Sequence, residues 1–177
     1  FATYALATQT NVVKVPEDLP LEVAAAFACG VNTGAGAVFN VLRPDPGSAF
    51  AVFGTGSVGL AGLMAAKIAG CHPIVAIDLH PQRLALAREL GATHVVDPAG
   101  GNCAAAVKRA TGGAGARFAL EAAGAPQALR AALESLAPMG VCCLVGSARA
   151  GVFDASGRLM ASAKRDIASR PSSLIGT

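Results

Sequence analysis

Phe50-Ala-Val-Phe-Gly-Thr-Gly-Ser-Val-Gly-Leu60, taken with Ile74-Val-Ala-Ile-Asp78, decides the fold. The first stretch reads as a buried strand, a G-x-G-x-x-G turn and the start of a helix. The second reads as a strand ending in a carboxylate. Three glycines alone are weak evidence, so their placement carries the argument. Gly54, Gly56 and Gly59 follow the strand at once, and Asp78 lies 19 residues past Gly59. That matches the roughly 20-residue distance of a dinucleotide-binding unit. Each residue then has a physical task. Gly54 permits the tight turn, Gly56 lets backbone approach a pyrophosphate, and Gly59 lets the helix pack closely on the strand. The helix N-terminus, entered through Ser57, offers free N–H groups to phosphate oxygens. Asp78 is placed to accept hydrogen bonds from an adenosine ribose. A glycine-rich turn with no ligand is the competing reading, and the spacing of the acidic residue argues against it.

The bulk composition narrows the class. A chain of 177 residues is long enough for one sizeable core and at most two small domains. Hydrophobic residues reach 53% and charged residues only 14%, which excludes disorder and suits strands buried on both faces. The formal charge of +3 comes from scattered basic residues, so no nucleic-acid partner is expected. Five cysteines, two of them adjacent at Cys142-Cys143, do not form a disulfide framework and point to a reducing compartment. Phe1-Ala-Thr-Tyr4 lacks the charged start and apolar stretch of a signal peptide, and a cytoplasmic location is expected. The uncharged windows Val23 to Leu42 and Pro46 to Ala66 are glycine-punctuated, so no membrane span is expected.

From Ala49 onward, strand-like and helix-like segments alternate. The predicted strands are Ala49–Phe53, Ile74–Asp78, His94–Val96, Ala116–Glu121 and Val141–Val145. The predicted helices are Val58–Ala69, Pro81–Leu90, Ala104–Ala110 and Pro126–Leu136. Gly70 and Gly91 sit where helix C-terminal glycines belong, and Pro81 and Pro126 suit a first helical position. This alternation predicts an α/β fold, a Rossmann-type doubly wound parallel sheet. Ser173-Leu-Ile-Gly176 is a candidate sixth strand. Before Ala49, Val12-Val-Lys-Val15 reads as an exposed strand, followed by one helix over about Leu21 to Phe27 and another from Gly34 to Leu42.

Several further signposts resemble the medium-chain, zinc-dependent alcohol dehydrogenases. They are Val13-Lys-Val-Pro-Glu-Asp18, Cys29-Gly-Val-Asn-Thr-Gly-Ala-Gly-Ala37, Pro46-Gly-Ser48, Ala65-Ala-Lys-Ile-Ala-Gly70, Ala87-Arg-Glu-Leu-Gly-Ala-Thr-His94 and Leu120-Glu-Ala-Ala-Gly124. The wording is most similar to the aryl- or benzyl-alcohol dehydrogenase branch. The resemblance implies that residues 1–28 are the tail of a GroES-like catalytic domain and that residues 29–177 are the NAD-binding Rossmann domain. It implies hydride transfer between a primary alcohol and NAD, with small alcohol or aldehyde substrates and a homodimer or higher oligomer.

The resemblance also implies roles for single residues. Asp78 favours NAD over NADP, and Arg83 flanks the same ribose. Thr33 lies beside the nicotinamide ring, Val58 packs under the cofactor, and Val145 and Gly146 meet the nicotinamide end, with Thr177 near the edge of the sixth strand. Cys29 occupies the position of a catalytic zinc ligand, the other ligands lying outside this chain. No residue of this chain is expected to act as catalytic acid or base, and the chain alone is expected to be inactive. Taken without that context, Cys29 reads as a small buried hydrophobe, Thr33 as a helix N-cap and Arg83 as a solvated charge. His80 reads as a helix cap and His94 as a structural residue opening a strand. Two alternatives remain at this level: a zinc-free quinone or enoyl reductase of the same superfamily, or a truncated, non-catalytic nucleotide-binding module.

Overall fold

A computed structural model describes residues 4–146 and, for backbone pairing, 173–176. Four apolar residues make β1 (Phe50–Phe53), and all four are buried. Phe50 and Val52 belong to one hydrophobic cluster, with Val38, Leu63, Ile74, Phe118 and Leu120. Ala51 and Phe53 belong to a second, with Val75, Ile77, Val107, Ala132 and Cys142. Alternate residues of one strand therefore feed two cores, which only a sheet covered on both faces allows. Each fully buried Phe or Leu side chain contributes about 1.5–3 kcal/mol to that arrangement.

The sheet is parallel and six-stranded, in the order β3-β2-β1-β4-β5-β6. The other strands are β2 (Ile74–Ile77), β3 (His94–Val96), β4 (Ala116–Glu121), β5 (Leu136–Leu144) and β6 (Ser173–Gly176). This is the doubly wound order, with the strand order reversing between β1 and β4. The candidate sixth strand pairs in register with β5, Val141 opposite Ser173. Thr177 lies outside the described residues. Helices α3 (Ser57–Ile68), α4 (Pro81–Leu90), α5 (Cys103–Ala110) and α6 (Pro126–Glu134) fall within two residues of the predicted ones. Gly91 caps α4 and Gly70 follows α3, both at positive φ.

Three expectations are corrected. First, Val12–Val15 forms no strand; Val13 is 89% exposed and pairs with no strand among the described residues. An alternating pattern without a partner strand has nothing to stabilise it. Second, the two N-terminal helices are one helical run, Leu21–Leu42. It contains α1 (Leu21–Ala24) and α2 (Asn32–Gly36), with π-helical turns at Phe27–Val31 and Ala37–Leu42. Gly30 and Gly34 look like breakers in sequence, but a Cβ at Gly30 would lie 2.8 Å from Ser57 Oγ, and one at Gly34 would overlap the Val58 carbonyl. Close packing on α3 outweighs their poor helix propensity. Third, β5 begins at Leu136, not Val141, and α6 correspondingly ends at Glu134. The register between β4 and β5 shifts between Ala116 and Phe118, and Met139 takes a positive φ. This irregularity lets Pro138 and Gly140 sit inside the strand.

Leu21–Leu42 is long and apolar enough, by length and composition, to cross a membrane. Its Ala37, Val38 and Leu42 are instead part of the core cluster that contains β1, and a core helix passes the same test.

A cofactor-type cleft at the switch point

The chain leaves β1 through Gly54, whose φ is +90°. A Cβ there would lie 2.8 Å from the Ala123 amide nitrogen, so the turn rests directly on the loop after β4. A Cβ at Gly59 would overlap the Gly54 carbonyl. These two glycines are therefore required by the protein's own packing. Gly56 differs: a Cβ there meets nothing within 4 Å, and its φ of −72° suits any residue. Its bareness leaves space beside the first turn of α3, which carries no side-chain cap. The N–H groups of that turn have no intrahelical partner and stand at the positive end of the helix dipole. Such a cradle fits an anionic pyrophosphate.

Asp78 stands one residue past β2 and is 7% exposed. Its Oδ2 accepts from the Thr55 amide at 2.7 Å and from the Thr55 hydroxyl at 2.9 Å. Oδ1 accepts from the His80 amide at 2.9 Å. Arg83 Nη1 lies 3.9 Å from Oδ2. Burial alone would push the carboxyl up, but the two amides, the hydroxyl and Arg83 outweigh it and hold Asp78 below the ordinary carboxylate range. Two carboxylate oxygens offer about four acceptor positions. With three taken, one remains for a ligand hydroxyl.

Glu121 ends β4 on the other side of β1. It is 3% exposed, and its Oε1 accepts from the Ala123 amide at 2.9 Å and the Gly124 amide at 2.8 Å. Its backbone carbonyl accepts from both Val145 and Gly146. Desolvation dominates here and raises the carboxyl above its ordinary value, against the two amides.

A cleft of about 910 Å³ opens between these strand ends. It gathers Gly54, Gly56, Asp78 and Arg83 from the sequence-predicted set. The remaining candidates lie outside its lining. Ser57 and Val58 meet the helical run at Gly30 and Gly34, and Cys29 and Thr33 are the immediate neighbours of those glycines. Val145 and Gly146 follow β5 and are tied to Glu121. Thr33 is not an N-cap, since it lies inside the helical run. His80 takes the N-cap position of α4, but its side chain makes no capping bond and its amide serves Asp78 instead. His94 opens β3 as expected, with its ring at 2.9 Å from the Thr93 hydroxyl. Sequence reasoning missed Thr55 and Glu121. Thr55 fills a variable position of the glycine motif, and Glu121 was visible only as part of a longer signpost.

Cys29 is exposed rather than buried, which removes the small-hydrophobe reading. Among the described residues, no group of three or more His, Cys, Asp or Glu side chains forms a metal site. These residues therefore do not fit a complete zinc centre. Cys142 and Cys143 are core, with burial pushing both thiols up, and Cys71 is pushed up to about 11.

Residues 57–169 match the family model described as zinc-binding dehydrogenase. Geraniol dehydrogenase of Castellaniella defragrans is 45% identical over 147 residues, covering 82% of this chain and 39% of that protein. Benzyl alcohol dehydrogenase from Acinetobacter calcoaceticus superposes with a TM-score of 0.81 at 36% identity, covering 93% of this chain and 44% of that one. An alcohol dehydrogenase zinc-binding domain protein from Burkholderia ambifaria gives a TM-score of 0.80 at 39% identity, with 93% and 43% covered. The chain thus spans less than half the length of these relatives. With a doubly wound sheet, a glycine turn at its switch point and a family match over residues 57–169, more than half of the chain, the chain belongs to the zinc-binding dehydrogenase family.

Proposed function

We propose that this chain is the NAD(H)-binding part of a medium-chain alcohol dehydrogenase of the aryl-alcohol type, one that moves hydride between a primary alcohol and NAD. The observation that carries the reading is Asp78, an ionised and nearly buried carboxylate with one acceptor position open, beside the bare approach at Gly56. A carboxylate at this point accepts from ribose hydroxyls and repels a 2′-phosphate. Gly54, Gly56 and Gly59 shape the pyrophosphate cradle, with Ser57 and Val58 opening the helix behind it. Arg83 flanks the ribose. Thr33, Val58, Val145 and Gly146 are assigned to the nicotinamide end. When bound, the nicotinamide supplies the hydride acceptor or donor, while these residues bind and orient it.

Residues 1–28 are read as the end of a GroES-like catalytic domain, and residues 29–177 as the nucleotide-binding domain. Cys29 is read as one thiolate ligand of a zinc ion whose other ligands lie outside this chain. An alcohol or aldehyde substrate, a cytoplasmic location and assembly into a homodimer or higher oligomer go with this reading. The 177-residue chain by itself is expected to bind NADH and to show no turnover, even with added zinc. Calorimetric titration with NADH and NADPH tests the cofactor assignment. Asp78→Ala is expected to raise the NADH dissociation constant about tenfold or more and to narrow the gap to NADPH. An unchanged NADH/NADPH ratio would sink the role given to Asp78.

A further inference from the structure

We propose that Thr55 is a positioning residue whose hydroxyl latches Asp78 in place and makes it a fixed selector of the dinucleotide. The proposal rests on the dinucleotide reading of the cleft and assigns its selectivity to a second side chain. Thr55 is completely buried, although it lies in a turn at the mouth of the cleft. Its amide and its hydroxyl converge on one oxygen, Oδ2, at 2.7 and 2.9 Å. Both come from the glycine turn, 23 residues away in sequence, so the grip joins β1 to β2. The His80 amide holds Oδ1. A carboxylate gripped on both oxygens cannot swing out of the way of a 2′-phosphate, and its free acceptor position is fixed in direction.

The backbone amide at position 55 exists whatever the residue is. The hydroxyl is the part that residue choice controls. Valine has the same shape and lacks the donor, whereas serine keeps the donor. Thr55→Val leaves Oδ2 with a single short donor in a buried place, where Arg83 at 3.9 Å is too far for a hydrogen bond. Asp78 then gains rotational freedom and its charged form loses support. The other titratable or charged groups lining the cleft are His80, Arg83, Cys103, Arg130 and Glu134, and Thr55→Val alters none of them.

The decisive experiment is a carboxyl-detected NMR titration of the 177-residue chain without ligand, with Asp78→Asn used to assign the signal, followed by NADH and NADPH titrations. Thr55→Val is expected to move the Asp78 midpoint upward and to lower the NADH/NADPH affinity ratio about three- to tenfold. Thr55→Ser is expected to restore both. If Thr55→Val does not fold, Thr55→Ala is read in the same way. In the parent chain, the Thr55 amide proton is expected to track the Asp78 titration. An Asp78 midpoint that stays put in the valine and alanine variants, or an amide that ignores it, overturns the latch. A parent chain that binds neither dinucleotide while the midpoint still shifts overturns the cofactor reading instead, and with it the selector role.

Discussion

The ends of β2 and β4 carry the same chemistry shifted in opposite directions. Asp78 and Glu121 are both almost wholly buried carboxyls at C-terminal strand ends, on either side of the β1 glycine turn. Asp78 receives two amides, a hydroxyl and a distant guanidinium, and is held low. Glu121 is desolvated and receives two amides, and is held high. Each accepts from two amides, so the difference is attributed to the depth of burial, the Thr55 hydroxyl and Arg83. One end of the switch point thus holds a carboxylate in its charged form. The other braces loops: it ties the turn after β4 to the chain leaving β5, and Gly54 rests on that turn.

Breaking the charged side is expected to have the largest effect. Asp78→Asn turns an amide group toward the Thr55 and His80 donors, leaving at least one buried N–H or O–H without an acceptor. A loss of about 3 kcal/mol at pH 7 is expected by denaturant unfolding. The sign of its pH dependence follows from linkage. Because the folded carboxyl lies below its ordinary value of 3.8, Asp78 stabilises the chain above that value, and this contribution is lost as pH falls through the folded value. The parent and variant curves are therefore expected to converge in acid. Curves that stay parallel down to acid pH would mean that charge has no part in the effect.

The Glu121 side is expected to respond less and with the opposite sign. Glu121 is raised above its ordinary value of 4.5, so its favourable contribution is complete below that value and lost as pH rises through the folded one. Glu121→Gln keeps an oxygen for the Ala123 and Gly124 amides and removes the buried charge. The variant is expected to lie within about 1 kcal/mol of the parent in acid and to become the more stable protein at neutral and higher pH. Thermal melting across the pH series reads this directly. A parent that outlasts the variant at high pH would place Glu121 in the same class as Asp78.

This contrast also explains what was legible beforehand. The order of strands and helices was readable because Phe50–Phe53 and Ile74–Ile77 are apolar on both faces and the glycines fall at helix ends and turns. Gly54, Gly56, Gly59 and Asp78 were readable because a strand–turn–helix unit of the dinucleotide-binding type fixes their spacing. Thr55 was not, since the motif permits any residue there and the value of its hydroxyl depends on a carboxylate 23 residues away. The single helical run was hidden for a similar reason. Gly30 and Gly34 are breakers by propensity, and only the approach of α3 at Ser57 and Val58 explains them. Local signals predict local structure, while contacts between distant segments decide the exceptions.

Arg83 is the smallest lever on the comparison and the most informative about its limits. Its side chain is 52% exposed, its Nη1 is 3.9 Å from Oδ2, and it is the weakest of the groups that hold Asp78 low. A pair so exposed gains little in water and is screened by salt. Arg83→Gln is therefore expected to change stability by less than about 0.5 kcal/mol, and by still less at high ionic strength. Its effect on ligands is separable. If Asp78 is ionised because of the hydrogen bonds from Thr55 and His80, the Asp78 midpoint in Arg83→Gln stays close to that of the parent while NADPH affinity falls, since the cation beside Asp78 is gone from the ribose side. A midpoint that rises as far as it does in Thr55→Val would reverse the ranking and make the charge of Arg83, rather than the hydroxyl of Thr55, the reason the two strand ends differ.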